Sequence, residues 1–259
     1  VITYKLLDKY KEIAHFCTSR EGGVSVGNYA SFNLSPFSGD ELSCFQGNQQ
    51  ILCDKLGIES GKLVIPFQTH GTEVREIDTA YLLLPANEQA SWLSGVDAVF
   101  TKLPGVCVGV TTADCVPLLF FDPTRQVVAA AHAGWRGTCG RIAERTILAL
   151  IETYQCNPAD IRVAIGPSIS PNVYEIGEEV AVSFANNGFE MAELIKQRGS
   201  SIYLDLWKAN QQSLEKAGIL AQHIEISGIC TFTEHERFFS ARRLGIKSGR
   251  MLSGIMLKD

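Results

Sequence analysis

No stretch of this 259-residue chain comes near the ~18 uninterrupted apolar residues that a membrane helix requires, so no bilayer span is expected. Positive charge is also short. Lys and Arg number 23 against 28 Asp and Glu, a formal net charge of −5, which argues against nucleic acid or a membrane surface as partner. Histidine is scarce, with five in all, and the eight cysteines include no CxxC pair. Nothing matches a P-loop or a GxGxxG fingerprint, which removes the commonest nucleotide-binding scaffolds. Collagen-like and low-complexity classes fall away because 23 Gly and 9 Pro follow no period, and disorder falls away because 46% of the chain is hydrophobic. The first residues mix lysines with acids and no apolar run follows them. No secretory signal is therefore expected, and the cytoplasm is the expected location. There the scattered cysteines, at 17, 44, 53, 107, 115, 139, 156 and 230, read as free thiols, most of them small buried hydrophobes.

What is present is organised as alternating short elements. No repeat, charge block or Pro/Gly/Ser linker divides the sequence, which predicts a single domain over residues 1–259. Runs rich in Val and Ile predict strands at 63–67, 96–101, 106–111, 116–121, 126–131, 161–165 and 224–229. The runs 116–121 and 126–131 are almost wholly apolar, as strands covered on both faces must be. Between them Asp122-Pro-Thr-Arg125 is a turn signal, so the two are expected to form a hairpin. Helices are expected at 46–56 behind Ser43 as cap, at 141–154, at 178–185 and at 206–217 behind Asp205. Strands mixed with helices in this way predict an α/β or α+β layered sandwich.

Two histidines stand in unusual company. His70 lies in Phe67-Gln-Thr-His-Gly-Thr-Glu-Val74 and His132 in Ala129-Ala-Ala-His-Ala-Gly-Trp-Arg-Gly137, each at the end of an apolar run that opens into glycine. Strand ends that open into tight loops are where sheets place their sites. Cys115, in Thr111-Thr-Ala-Asp-Cys-Val-Pro117, enters one strand of the expected hairpin while His132 leaves the other. The turn thus brings a thiol and an imidazole to one end. Two chemistries follow. The pair could ligate a soft or borderline metal, with His70 as third ligand and a fourth position open. Alternatively the histidine could activate the thiol as a nucleophile. A buried cysteine beside a hydrogen-bonded histidine is the bland alternative.

Arginines supply the second element. Arg20 precedes Glu-Gly-Gly, Arg136 sits in Gly-Trp-Arg-Gly, and the segment from Glu236 through Arg242, Arg243 and Lys247 to Arg250 is basic in an acidic protein. Such groups can clamp a phosphate through paired hydrogen bonds, or can simply be solvated. Ile165-Gly-Pro-Ser-Ile-Ser-Pro171 reads as a rigid loop, and Glu178-Glu179 as a helix opening that complements the dipole.

Taken together, the motifs resemble the YfiH/YlmD family, also called the laccase-domain or polyphenol oxidase family, whose members are regarded as purine nucleoside phosphorylases. The resemblance runs through Thr18-Ser-Arg-Glu-Gly-Gly-Val-Ser25, Asn33-Leu-Ser35, Gln68-Thr-His-Gly71 and Gly95-Val-Asp-Ala98. It continues through Ala113-Asp-Cys-Val-Pro-Leu118, His132-Ala-Gly-Trp-Arg-Gly137, Ile165-Gly-Pro-Ser168 and Tyr174-Glu-Ile-Gly177. Its last parts are Asp205-Leu206, Cys230-Thr231, Phe238-Phe-Ser240 and Gly249-Arg250, so it covers nearly the whole length. One departure is Ala241, where relatives often carry a bulkier residue.

The resemblance implies a four-layer α/β/β/α sandwich with mixed sheets, and a zinc ion on His70, Cys115 and His132, the catalytic residues. It implies phosphorolysis of adenosine, inosine, guanosine and methylthioadenosine, with adenosine deamination as a second activity. Purine nucleosides and phosphate are then the partners, with Arg20, Asn33, Arg242 and Arg243 as weaker candidates for holding them. Copper could substitute for zinc, because it binds such donors more tightly. A laccase proper needs many closely spaced histidines, and five isolated ones cannot build a trinuclear copper cluster beside a second site. A metal-free Cys115–His132 hydrolase or deamidase, and a non-enzymatic binding protein, stay as rivals.

Overall fold

The computed structural model describes residues 1–258. Strands in the first half are β1 (Ile13–Cys17), β2 (Leu63–Val64), β3 (Glu73–Glu76), β4 (Val96–Thr101), β5 (Cys107–Thr112), β6 (Val116–Asp122) and β7 (Val127–Ala133). The second half adds β8 (Arg162–Ile165), β9 (Glu175–Ile176), β10 (Ile195–Arg198), β11 (Ser201–Leu204), β12 (Ile224–Ile226) and β13 (Met251–Leu257). Helices α1 (Leu42–Leu56), α2 (Thr79–Leu82), α3 (Ala86–Trp92), α4 (Trp135–Cys139) and α5 (Ile142–Tyr154) are followed by four more. These are α6 (Glu178–Asn186), α7 (Met191–Leu194), α8 (Leu206–Lys216) and α9 (Ala241–Leu244). No described helix is long and apolar enough to cross a membrane.

The fold is mixed α/β. Six strands in the order β12-β8-β6-β7-β4-β3 form the larger sheet, and four in the order β1-β13-β5-β2 form a second. A small sheet, β10-β11-β9, lies apart from both. Both main sheets combine parallel and antiparallel pairs. The two sheets share one apolar core, in which Val108, Val110, Ile255 and Leu257 meet Val99, Leu119, Phe121 and Val128. On the far face of the larger sheet, Leu118, Phe120, Ala129 and Ala131 pack against Ile142, Ile147 and Leu150 of α5 and Leu206 and Leu214 of α8. α1 covers the other sheet, setting Leu52 and Cys53 against Phe16, Cys107, Leu252 and Met256. Side chains of one strand alternate between faces, so β6 sends Leu118 and Phe120 to one core and Leu119 and Phe121 to the other. That is why it reads as a continuous apolar run.

The expected hairpin forms. β6 and β7 pair antiparallel with Val116 opposite Ala133 and Pro117 opposite His132. In the turn, Asp122 accepts hydrogen bonds from the backbone N–H of Thr124 and Arg125, the local chemistry that its sequence announced. β4 appears at its expected bounds, and Asp205 caps α8 by accepting from the Lys208 N–H. α1 begins earlier than expected, at Leu42, with Glu41 in the cap position in place of Ser43 and no side-chain cap bond. The strand expected at 63–67 stops at Val64, just short of Pro66, whose ring removes a ladder donor. That at 224–229 stops at Ile226, before Gly228 with φ +67°.

β1 and β13 were not expected. β13 is central to its sheet and buried throughout, yet its sequence Met-Leu-Ser-Gly-Ile-Met-Leu is interrupted by two residues that weaken a strand pattern. Gly254 has a spatial cause: a Cβ there would lie 2.7 Å from Cζ of Phe16 on the neighbouring strand. All eight cysteines are free thiols, as expected.

Candidate functional site

The hairpin brings two of the candidate groups to one sheet end. Cys115 is the residue immediately before β6, and His132 lies near the end of β7. His70 comes from the loop between β2 and β3. One donor atom from each, the two imidazole nitrogens and the thiol sulfur, fall within 4.8 Å of one another. The imidazoles of His70 and His132 stand edge to face, with centroids 4.8 Å apart. His132 is buried, Cys115 half-buried and His70 exposed, so the cluster opens outward on the His70 side.

Asp97 assembles these parts. Its carboxylate is fully buried, and Oδ1 lies 2.7 Å from Nδ1 of His132. The same carboxylate accepts the backbone N–H of Thr69, His70 and Gly71 at 3.1, 3.0 and 2.7 Å. A bulge places it there. β3 pairs Glu73 with Val96 and then Val74 with Ala98, so Asp97 is passed over and its side chain is free to turn toward the loop. The three bonds hold His70 at φ +63°, a left-handed conformation that costs a non-glycine residue about 1–3 kcal/mol. With Nδ1 committed to Asp97, His132 presents Nε2 to the cluster.

Asp114 plays the matching part for Cys115. It too is left-handed, at φ +84°, and its carboxylate accepts from Thr231 Oγ1 (2.7 Å), Ser240 Oγ (2.9 Å) and the Arg242 backbone N–H (2.7 Å). Gln68 bridges the His70 loop to β5, donating to the Thr111 carbonyl and accepting from the Thr111 N–H, each at 2.8 Å.

The electrostatics favour a thiolate facing an imidazolium, and the imidazolium must give up its proton before it can ligate a metal. Burial by itself would raise the Cys115 thiol, but the positive charge and hydrogen bonds of His132 and His70 outweigh it and bring the thiol down. Burial would lower His132, but the facing thiolate and Asp97 outweigh that and bring it up. Thiolate is the form that binds metals and attacks carbon.

Two cavities meet at the cluster. One of about 350 Å³ is lined by His70, Cys115 and His132 together with Ser35, Gln68, Thr112 and Arg250. The other, about 130 Å³, lies among Trp135, Arg136, Ile169 and Tyr174, and shares His70 and Cys115 with the first. A larger apolar cavity of about 950 Å³ adjoins the first at Phe37 and Phe67 and contains no His, Cys, Asp or Glu.

The weaker candidates are placed elsewhere. Arg20 donates from Nε to the Ala30 carbonyl and from Nη1 to the His235 carbonyl, and lies over the Phe239 ring. It braces two loops through these bonds, and Nη2 takes no part in them. Asn33 is fully buried and ties Ser35, Ser38, Asp40 and the Arg250 backbone together. Arg242 donates to the Glu175 carbonyl, and Arg243 to the Phe232 carbonyl. None of these four lines either cavity at the cluster. Carbonyls nearby in the fold engage the three arginines, which composition cannot foretell. Ala241 does stand on the wall of the first cavity, where a bulkier residue would narrow it. Asp97, Gly134 and Thr112 were passed over by residue-by-residue reading, whereas Arg250, read there as one member of the basic C-terminal segment, lines the first cavity. For Asp97 a signal existed, an acid inside the apolar run Val-Asp-Ala-Val-Phe-Thr, since such a residue stays buried only when paired.

A family model described as multi-copper polyphenol oxidoreductase laccase matches residues 14–258. The chain belongs to this family. Among curated members, a purine nucleoside phosphorylase of Bacteroides thetaiotaomicron is 44% identical over 259 residues, covering 99% of this chain and 96% of the relative. An adenosine deaminase named RL5, from an unknown prokaryotic organism, is 40% identical over 94% of this chain and 93% of its own. The crystal structure of YlmD from Geobacillus stearothermophilus superposes with a TM-score of 0.90 at 33% identity, covering 96% of this chain and 93% of that one. This member of the laccase-like family is an enzyme, and the resemblance to YfiH and YlmD proteins read from its motifs is borne out.

Proposed function

We propose that the chain is a metal-dependent purine nucleoside phosphorylase, acting on adenosine, inosine, guanosine and methylthioadenosine, with adenosine deamination as a second activity. The observation that carries this is the convergence of His70, Cys115 and His132 on one point of a cavity with a polar wall. Two imidazoles and a thiolate suit zinc, and three protein ligands leave the fourth position to substrate, as in catalytic zinc sites. The second shell fits as well, since Asp97 fixes the ring orientation of His132. So does the space: a Cβ on Gly134 would lie 2.9 Å from Cδ2 of His70 and 3.1 Å from the Cys115 sulfur.

An ion held there supplies Lewis-acid polarisation to the group facing its open position. The residues of the chain do the rest. His70 and Cys115 border both cavities, so a nucleoside lodged at the cluster has its reacting atoms beside them. The small cavity offers Trp135 and Tyr174 to a flat base, and the larger one offers hydroxyls and the Gln68 amide to ribose. In phosphorolysis a phosphate oxygen bonds to the ribose carbon as the carbon–nitrogen bond to the base breaks, its electron pair leaving with the base. In deamination water adds at the purine carbon and ammonia leaves. The donors gathered here suffice for one ion, so copper in this site is a substitute for zinc and not part of a laccase cluster.

A second reading draws on the placing of His132 between Cys115 and Asp97, the order of a thiol nucleophile, its base and the group that orients the base. Metal analysis of protein purified without added metal, beside a nucleoside panel, separates the two. Base release from inosine is expected to require phosphate, to stop on chelation and to return with zinc. Alkylation is expected to be slow until the chelator is added. Full activity in metal-free protein would install the thiol mechanism, and base release indifferent to phosphate would remove the phosphorylase reading.

Gly134→Ala gives a finer test. The glycine has φ −65° and ψ 172°, which alanine adopts freely, so the added methyl strains only the ligand atoms. Zinc affinity is expected to fall at least ~10-fold, in the range that misplaced ligand support produces. The melting temperature of the metal-free protein should barely move. Unchanged zinc titration would show that the ligands lie elsewhere.

A further inference from the structure

We propose that Arg250 and Thr112 form the subsite for the phosphate dianion within the His70–Cys115–His132 cavity. The inference rests on the phosphorylase reading and names the groups that would hold its second substrate.

Arg250 lines that cavity, and its place is set rigidly. Its backbone N–H donates to Asn33 Oδ1 at 2.9 Å, and its carbonyl accepts from the Leu34 N–H at 3.1 Å. Nη1 donates to the Ser248 carbonyl at 2.7 Å and the Gly249 carbonyl at 2.9 Å, and Nη2 to the Ile246 carbonyl at 2.9 Å. Nε–H and the second N–H of Nη2 make no hydrogen bond to any described residue. Nε and Nη2 form the side-on edge of the guanidinium, the edge that matches two oxygens of a phosphate. Among the described residues no carboxylate pairs with Arg250. Burial presses against its charge, a cost that an anion beside it would offset.

Thr112 is the independent observation. It is 1% exposed, it lines the same cavity, and its Oγ1 is buried without a partner among the described residues. A buried hydroxyl left in that state is costly unless something binds it. The sheet brings the two together: Thr112 on β5 pairs with Met251 on β13, the residue after Arg250. A phosphate there takes two bonds from that edge and a third from the hydroxyl, beside the cluster. Cys115 and Asp114 are the acidic groups whose charge bears most on Arg250. Asp114 is already satisfied by Thr231, Ser240 and the Arg242 N–H, and a cation on Cys115 would offset the thiolate.

The test uses the zinc-loaded enzyme with Arg250→Lys and Thr112→Val. Lysine keeps the charge and loses that edge; valine keeps the shape and loses the hydroxyl. The KM for phosphate in base release from inosine is expected to rise at least ~10-fold in the first and roughly 3–10-fold in the second. The KM for inosine should move much less in both. Equal rises in the two KM values would overturn the assignment, because Arg250 would then hold the nucleoside or the loop. Should Arg250→Lys fail to fold, Thr112→Val, a near-isosteric change, carries the same comparison.

Phosphorus NMR of inorganic phosphate added to the enzyme without nucleoside reads binding apart from turnover. Binding to wild type that is lost in the variants supports the subsite even if base release proves independent of phosphate, an outcome that removes only the phosphorylase reading. The same group occurs on nucleotides, so adenosine monophosphate is compared with adenosine. No gain in affinity from its phosphate is expected. A gain abolished by Arg250→Lys, with no binding of inorganic phosphate, would make this a nucleotide site and overturn the proposal.

Discussion

Cys115→Ser is expected to strip the centre of its ion and to abolish phosphorolysis and deamination together. A serine hydroxyl does not ionise near neutral pH and is a hard donor, so two imidazoles are left to hold a borderline cation. The loss should exceed the ~10–100-fold that attaches to outer-shell partners, since a direct ligand is removed. The fold should survive, because Asp114 keeps its bonds to Thr231, Ser240 and Arg242 and holds the loop in place. Metal content after gel filtration, read beside circular dichroism, is the measurement. A folded variant that retains one equivalent of zinc would show that the ligand set is wrong.

Asp97→Asn is expected to damage stability and metal binding at once. Oδ1 of Asp97 serves His70 N–H and His132, while Oδ2 serves Thr69 and Gly71 N–H. Whichever oxygen becomes an amide nitrogen, it faces backbone donors it cannot accept from. Each buried donor so orphaned costs about 1–3 kcal/mol, giving a loss of roughly 2–5 kcal/mol by denaturant titration. Zinc affinity should fall ~10–100-fold as His132 loses its anchor. The pH dependence supplies an independent check. Burial pushes the Asp97 carboxyl up, but His132 and the backbone N–H groups of Gly71 and Thr69 outweigh it, so its folded pKa lies below the ordinary value. Its stabilisation is therefore full above the unfolded carboxylate range and is lost as pH falls through the lowered folded value. The gap between wild type and variant should be widest at neutral pH and close in acid. A gap that stays constant with pH would mean that the carboxylate charge is not what holds the loop.

Chemistry that is local in the chain was legible from sequence. The Asp122 turn, the all-apolar runs on either side of it and the Asp205 cap each act over a few residues, and each appears as expected. The hairpin is the case that mattered most. A short turn fixes register, and register alone puts Cys115 and His132 at the same end. His70 joined them as a candidate third ligand, read from its place in Gln68-Thr-His-Gly71. No spacing in the chain connects it to the hairpin.

What only the tertiary structure decided involves partners far apart in sequence. Arg20 and Arg250 look alike as residues in glycine-containing loops. One meets the carbonyls of Ala30 and His235 and becomes a brace, while the other lines the cavity and keeps Nε–H out of any hydrogen bond to the described residues. β13 joins the C-terminal end of the described chain to β1 and β5, and so sets Arg250 beside Thr112 across more than half the sequence. Asp97 reaches the His70 loop because the β3–β4 ladder skips one residue, a choice made by packing between strands. Turn chemistry and alternation are written into neighbouring residues, so the sequence alone settled the hairpin and the strand ends that bear His132 and Cys115. Which polar groups meet across the sheets depends on which acceptors the folded chain brings within reach, and the tertiary structure alone set Asp97 against the His70 loop and put Thr112 and Arg250 on the wall of one cavity.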